Sequence, residues 1–288
     1  MTRLTPYRFA GRTAVLTGAA GGIGEHLAHG LAERGSDLVL VDRDALRLDA
    51  VAEQVRSAHP GRTVEALVAD LADRSAVIGL AAGIRERHPR LGLLINNAGM
   101  ALGGRFDQIG LAQFERVMAV NFTAPLLLIH HLLPALTAAP GSHLVNVSSL
   151  YGLIAPPGQS AYSASKFALR GLSEALRGEL LESGVGVTTV HPGGVRTRIA
   201  ESAEIGEGVP AAEVEPQQRA FAALLTYPPD KAAREILDGV QRRRGRVLIA
   251  ASAKVPDVLA RLMPVGHMRV IARLTAAAGR RARTAVTR

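Results

Sequence analysis

Ala14-Val15-Leu16-Thr17-Gly18-Ala19-Ala20-Gly21-Gly22-Ile23-Gly24 lies near the start of this 288-residue chain, and its reading decides the fold. Residues 14–17 are a short apolar run with β propensity, and a glycine-rich turn follows at once. Residues 25–34 then read as a helix, with Ile23, Leu27 and Leu31 on one face and Gly35 as the stop. Strand, glycine turn and helix in that order suit an anion. Glycines let the backbone turn tightly against a phosphate, and the N–H groups and macrodipole of a helix N-terminus favour negative charge. The spacing at Gly18, Gly22 and Gly24 is G-x-x-x-G-x-G, which departs from the G-x-G-x-x-G dinucleotide fingerprint. A lone glycine cluster is more often a plain turn, but the elements on either side favour phosphate binding here.

Working outward, strands and helices alternate. Residues 37–41 give a second strand that ends in Asp42, 24 residues after Gly18. An acid at about that distance hydrogen-bonds the adenosine ribose and repels a 2′-phosphate, which favours NAD(H). Arg43 is adjacent and attracts such a phosphate, so NADP(H) stays open. The bland alternative for Asp42 is a helix N-cap, a role that suits Asp44 better. Further strands are expected at 64–69, 91–95, 143–147, 185–190 and 246–250. Helices are expected at 45–57, 75–87, 111–121, 124–138 and 162–182. The strands are apolar on both faces, as in a parallel sheet covered by helices. The fold class is therefore α/β, a doubly wound sheet of about seven strands.

The second informative feature is Tyr162-Ser163-Ala164-Ser165-Lys166, with Ser149 upstream. Residues four apart share a helix face, so an ammonium sits one turn from a phenol. Bringing a phenol from about 10 to about 7 takes roughly 4 kcal/mol of differential stabilisation. The chain has only three lysines, Lys166, Lys231 and Lys254, which makes Lys166 easier to read as a chemical choice. Taken alone, the pair reads equally as a half-buried Tyr beside a solvated Lys.

Composition sets the outer bounds. Hydrophobic residues make up 48% of the chain, enough for one large domain. With no cysteine, disulfides, thiolate metal sites and cysteine catalysis are excluded. His130 and His131 do not match a His-x-x-x-His zinc spacing, and no metal is expected. Residues 1–6 show no apolar signal-peptide core, so a cytoplasmic location is expected. Residues 124–139 are too short and too polar to span a bilayer and read as a buried helix. The formal charge of +9 is concentrated at the C-terminus: residues 242–288 carry 12 Lys and Arg against Asp257 alone. Without interleaved aromatics or a nucleic-acid module, nucleic acid is not an expected partner. A stripe of Val265, Met268, Ile271 and Leu274, beside Arg269 and Arg273 and followed by Arg280, Arg281 and Arg283, suggests a peripheral contact with the inner membrane surface. Packing of that stripe on the protein's own body or on a partner subunit, with the arginines merely solvated, is the favoured alternative. Expected boundaries are one α/β domain at 1–255 and a basic helical extension at 256–288.

Taken together, Thr17-Gly18…Gly22-Ile23-Gly24, Asp70-Leu71, Asn96-Asn97-Ala98-Gly99, Asn121, Ser149, Tyr162…Lys166 and Pro192-Gly193 resemble the short-chain dehydrogenase/reductase family over about residues 10–200. Each motif is weak alone, but the ordered set is specific. The resemblance implies a Rossmann-type sheet and nicotinamide-dependent interconversion of an alcohol and a carbonyl. By it, Tyr162 is the general acid/base and Ser149 hydrogen-bonds the substrate oxygen. Lys166 binds the nicotinamide ribose and lowers the Tyr162 pKa, and Asn121 supports a proton relay. Asp70 and Leu71 approach the adenine, Asn97, Ala98 and Gly99 the cofactor ribose side, and Val195 and Thr197 the carboxamide. It also implies a homodimer or homotetramer, paired through the helices that begin near Leu111 and Tyr162. Residue-level alternatives remain: Asn121 as a helix C-cap, and Ser148 facing the site if the strand register slips.

Residues 198–225 form a candidate substrate lid, with an apolar helix expected after Pro216. Met100, Leu150, Tyr151, Leu153, Ile154 and Pro156 are mostly uncharged, which points to an apolar secondary alcohol or ketone. A nicotinamide-binding sensor or scaffold without turnover is the competing class. Such a protein would keep the glycine turn and lose the catalytic set.

Overall fold

The computed structural model describes residues 4–199 and 202–271. Seven parallel strands form the main sheet: β1 (Thr13–Thr17), β2 (Asp37–Asp42), β3 (Val64–Val68), β4 (Leu93–Asn96), β6 (His143–Val147), β7 (Gly186–Pro192) and β9 (Arg246–Ile249). Their spatial order is β3-β2-β1-β4-β6-β7-β9. Chain order thus runs outward from β1 to one edge and then, through β4, to the other. The reversal falls between β1 and β4, where such sheets bind ligands beyond the strand C-termini.

Alternation along the strands builds two cores. Leu16, Leu38, Leu40, Leu93 and Ile95 pack on one face with Leu27 and Leu31 of α1 (Ile23–Glu33), Leu48 of α2 (Ala45–Ala58) and Ile236 of α8 (Pro229–Gln241). Val15, Val39, Val41, Leu94 and Leu144 pack on the other face against α3 (Arg74–Arg87) and α5 (Ala124–Thr137). The side-chain period of two sends neighbouring residues to opposite faces, so every central strand is apolar on both sides. Helix α6 (Ser160–Glu179) joins the second layer, with Leu172 and Leu176 against that core.

The structure departs from the sequence reading in four places. Helix α8 lacks a counterpart in that reading, although Ala232, Ala233, Ile236, Leu237 and Val240 recur at helical spacing and are buried. The helix expected at 111–121 ends as α4 (Leu111–Met118). A π-turn at Ala119–Thr123 then carries Asn121, which removes the C-cap alternative. The lid helix, expected after Pro216, is α7 (Ala211–Ala223) and holds Pro216 inside it. A small parallel pairing of β5 (Leu102–Gly103) with β8 (Glu204–Ile205) ties the start of the lid to the body.

The boundary expected at 255/256 falls inside α9 (Ala251–Leu262), whose Asp257 accepts from Arg246 and Arg261. The stripe expected from Val265 to Leu274 is split. Val265 is exposed, whereas Met268 and Ile271 turn into the main cavity. Leu274, Arg273, Arg280, Arg281 and Arg283 lie outside the described residues. The run Leu111–Thr137 is by length and composition apolar enough to cross a membrane, but half of its most apolar window is buried inside the fold. Its place in the second core explains that composition.

Two histidines carry a pH dependence. His143 and His191 are fully buried, and burial pushes them down to about 3 and about 4. Each is neutral when folded and gains a proton on unfolding as pH falls below the ordinary histidine value. Between about pH 6.5 and 4 the unfolded chain binds more protons, so stability rises with pH across that window. Urea midpoints at pH 5 and pH 7 check this: the midpoint is expected to be lower at pH 5, and lower still relative to a His191→Asn variant's own shift.

Candidate active site

The strand C-termini open into one cavity of about 850 Å³. Its floor is the glycine turn. Gly18 and Gly22 have φ of 68° and 59°, conformations that side chains rarely adopt. A Cβ on Gly24 would stand 1.9 Å from the Gly18 carbonyl oxygen, so helix and turn are too close for any side chain there. Helix α1 has no side-chain cap at Gly22; Gly24 N–H donates to the Gly21 carbonyl at 3.1 Å, and no side chain caps the other N–H groups of the first turn. Thr17 pins the neighbouring loop: its Oγ accepts from the N–H groups of Asn97 and Ala98, both at 3.1 Å. Asn97 Nδ2 donates back to the Thr17 and Gly18 carbonyls at 3.1 and 3.0 Å. Gly99 faces Lys166 Nζ, which a Cβ would approach to 3.2 Å.

Asp42 ends β2 at the cavity wall. One carboxylate oxygen accepts from Ala20 N–H at 3.0 Å and the other from Asp44 N–H at 3.2 Å. A carboxylate has about four lone-pair sites, so two of them remain for a ligand. The N-cap of α2 is Asp44, which accepts from Arg47 N–H. Asp42 is therefore not spent on capping. Arg43 is exposed and lines the same cavity. Asp70 and Leu71 are not brought to the cavity wall: Asp70 accepts from Ala72 N–H, and Leu71 packs into the second core.

Ser149, Tyr162 and Lys166 converge on the opposite wall. The register question between the two serines has a clear answer. Ser148 Oγ donates to the Lys166 carbonyl at 2.9 Å, whereas Ser149 faces the cavity and hydrogen-bonds the Tyr162 phenol. Lys166 Nζ donates to the Val147 carbonyl at 3.0 Å and stands 5.7 Å from the Tyr162 ring centroid. Tyr151 packs edge-on against Tyr162, with centroids 6.0 Å apart. Asn121 is fully buried and does not line the cavity. Its Oδ1 accepts from Met100 N–H, and its Nδ2 donates to the Met100 carbonyl and Ser165 Oγ. Both ends of its amide hold α6 to the Met100 loop, so its side chain positions the site.

Burial sets the electrostatics of this wall. Burial pushes the Tyr162 phenol up to about 12, against the lowering effect of the Ser149 hydrogen bond, and Tyr151 adds to the rise. Burial also pushes Lys166 down to about 8. Both groups lose hydration in the same wall, and burial disfavours the charged form of each.

The third wall follows β7. Pro192, Gly193, Val195 and Thr197 line the cavity, and Thr197 packs over Gly22. Gly194 N–H donates to Ser252 Oγ at 3.1 Å, which ties this wall to α9. The lid supplies Ile199, Phe221, Leu224 and Leu225. The sequence reading missed the remainder, namely Val255, Pro256, Leu259, Met268 and Ile271 from the C-terminal segment. Apolar residues at helical spacing were the available signal, but nothing local in the sequence aims them at a site formed 90 residues earlier. His191 was also missed; its Nδ1 meets the Ser149 carbonyl at 3.0 Å from behind the catalytic loop.

Comparison with known proteins agrees with this geometry. The short chain dehydrogenase family model matches residues 12–208. A Mycobacterium tuberculosis protein named SadH is 39% identical over 272 residues, spanning 92% of this chain and 95% of its own length. A short-chain dehydrogenase/reductase from Burkholderia phymatum in complex with NAD superposes with a TM-score of 0.81 at 27% identity, covering 88% of this chain and 94% of that one. A short-chain dehydrogenase from Sphingobium yanoikuyae in complex with NADPH does so with a TM-score of 0.72 at 33% identity, covering 96% and 95%. With its family match over residues 12–208 and a relative 39% identical across 92% of its length, this protein belongs to the short-chain dehydrogenase/reductase family of oxidoreductases.

Proposed function

We propose that the protein interconverts an apolar secondary alcohol and its ketone with a nicotinamide cofactor. The carrying observation is that Ser149, Tyr162 and Lys166 face the glycine turn and Asp42 across a single cavity. The turn fits a pyrophosphate, since Gly18 and Gly24 leave no room for a Cβ and its helix start has no side-chain cap. Asp42 offers lone pairs to a ribose, and Lys166, fixed through Val147, offers its remaining N–H donors to the second ribose.

Bound there, the cofactor supplies hydride exchange at C4 and, when oxidised, a positive charge near the phenol. The protein's own residues handle the proton and the geometry. In oxidation, the Tyr162 oxygen takes the alcohol proton; in reduction, the phenol gives it to the ketone oxygen. Ser149 holds that same oxygen by a hydrogen bond. Ile154, Phe221, Leu225 and Leu259 exclude water and set an apolar preference. Purified protein assayed with NAD(H) and NADP(H) against a panel of apolar alcohols and ketones tests this reading.

The reading includes NAD(H) in preference to NADP(H), because a 2′-phosphate beside Asp42 meets a carboxylate held by two backbone donors. Titration is expected to show tighter binding of NADH, and Asp42→Ala to narrow the ratio by about tenfold. Tighter NADPH binding by the wild type would refute the role given to Asp42. A homo-oligomer is also expected. Leu111 on α4, Leu126 on α5 and Phe167 on α6 are exposed apolar side chains on the helices implicated in pairing. Sedimentation at micromolar concentration should give a mass of at least twice the 30.3 kDa chain, and a monomer mass would count against the pairing.

A further inference from the structure

Helix α9 is inside out. The side chains it buries are Ala253 and Asp257, one small and one charged. Asp257 is held by Arg246 of β9 and by Arg261 of its own helix, so an ion pair to the sheet edge anchors the helix to the body. Its larger apolar residues point away. Val255, Val258 and Leu262 are 55%, 53% and 75% exposed. At 100° per residue they fall, together with Leu259, within an arc of about 100°. Val265, just past the helix end, is 93% exposed. A helix that needs only its own domain shows the reverse pattern, with its apolar stripe on the core.

Two further observations identify the occupant. The first is charge. Lys254 and Arg261 flank the stripe on its own helix and Arg269 follows, all exposed. The only acid in residues 242–288 is Asp257, which is buried and paired. The surface is therefore apolar along its centre and cationic at its edge, the pattern of a helix lying in the headgroup region of an anionic bilayer. The second is continuity with the cavity. Val255 and Leu224 are each more than half exposed, yet each also lines the cavity. The chamber thus opens at the edge of the exposed apolar surface.

We propose that α9 and Val265 form a docking face for an anionic membrane surface, with the cavity mouth at its edge. An apolar substrate would then reach the chamber from the lipid side; that route rests on the proposed reaction, whereas docking itself is read without turnover. The test is co-sedimentation of the full chain with vesicles of phosphatidylcholine alone or mixed with phosphatidylglycerol, at low and high salt. The comparison is a full-length variant carrying Val258→Ser, Leu262→Ser and Val265→Ser, none of which lines the cavity. Circular dichroism and turnover of a water-soluble substrate check that it is folded. Binding to the anionic vesicles is expected at low salt, weakened by high salt, and at least ~10-fold weaker in the variant. Protein left in the supernatant at low salt would overturn the proposal. So would equal binding by the variant, which would assign the interaction to charge alone. A variant of smaller sedimenting mass than wild type would also overturn it, since the face would then join two copies of this chain.

Discussion

Tyr162→Phe is expected to lower kcat by about 10²–10⁴-fold while leaving cofactor affinity within a few-fold of wild type. The substitution keeps the ring, its edge-on contact with Tyr151 and its place over Lys166. Only the hydroxyl that bonds Ser149 and transfers the proton is removed. Steady-state turnover and cofactor titration on the same preparation separate the two effects. Near-wild-type kcat would remove Tyr162 from the chemistry. Equal loss of cofactor binding would show that the hydroxyl is structural.

The second large effect is expected at Gly24. A Cβ there would lie 1.9 Å from the Gly18 carbonyl oxygen and 2.9 Å from Asn97 Nδ2, and these two atoms are themselves hydrogen-bonded. Gly24→Ala must therefore move the turn or the helix. Overpacking of this kind costs about 1–3 kcal/mol, at roughly 2–4 °C of Tm per kcal/mol for a chain approaching this size. The displaced turn is the one assigned to the pyrophosphate, so kcat/KM is expected to fall by about 10²-fold as well. Thermal unfolding and cofactor titration check both consequences. A variant with wild-type Tm and wild-type affinity would mean that the close approach has no functional weight.

What could be read from the sequence depended on how local each feature is. The seven strands were legible because each is a short apolar run closed by turn residues. The dinucleotide turn and the Tyr162–Lys166 pair were legible because their chemistry lies within one helical turn. Ser149 came from the family resemblance with Ser148 left as an alternative, and the geometry gives the physical reason for Ser149: Ser148 is committed to the Lys166 carbonyl. Asn121 was legible as a site residue but not as what it does. The π-turn that aims its amide at Met100 and Ser165 depends on contacts with α6 formed some 44 positions later.

Helix α8 has regular apolar spacing, but no chemical motif beside it marks it in the sequence. The C-terminal wall could not be read at all. Val255, Leu259, Met268 and Ile271 reach the cavity only after β9 has been added to the sheet edge and Asp257 has found Arg246. The direction of the Tyr162 shift was likewise hidden. An i, i+4 lysine suggests stabilisation of the phenolate, but the outcome rests on how deeply both groups are buried.

The central claim is that one cavity joins the glycine turn, Asp42 and the Ser149–Tyr162–Lys166 wall into a working site. Following nicotinamide absorbance in purified protein, with NAD(H) or NADP(H) and a panel of apolar secondary alcohols and ketones, tests it most directly. The account predicts turnover of at least one alcohol–ketone pair that is abolished by Tyr162→Phe. Tight cofactor binding with no turnover of any pair in either direction would contradict it and would favour a cofactor-binding protein without catalysis.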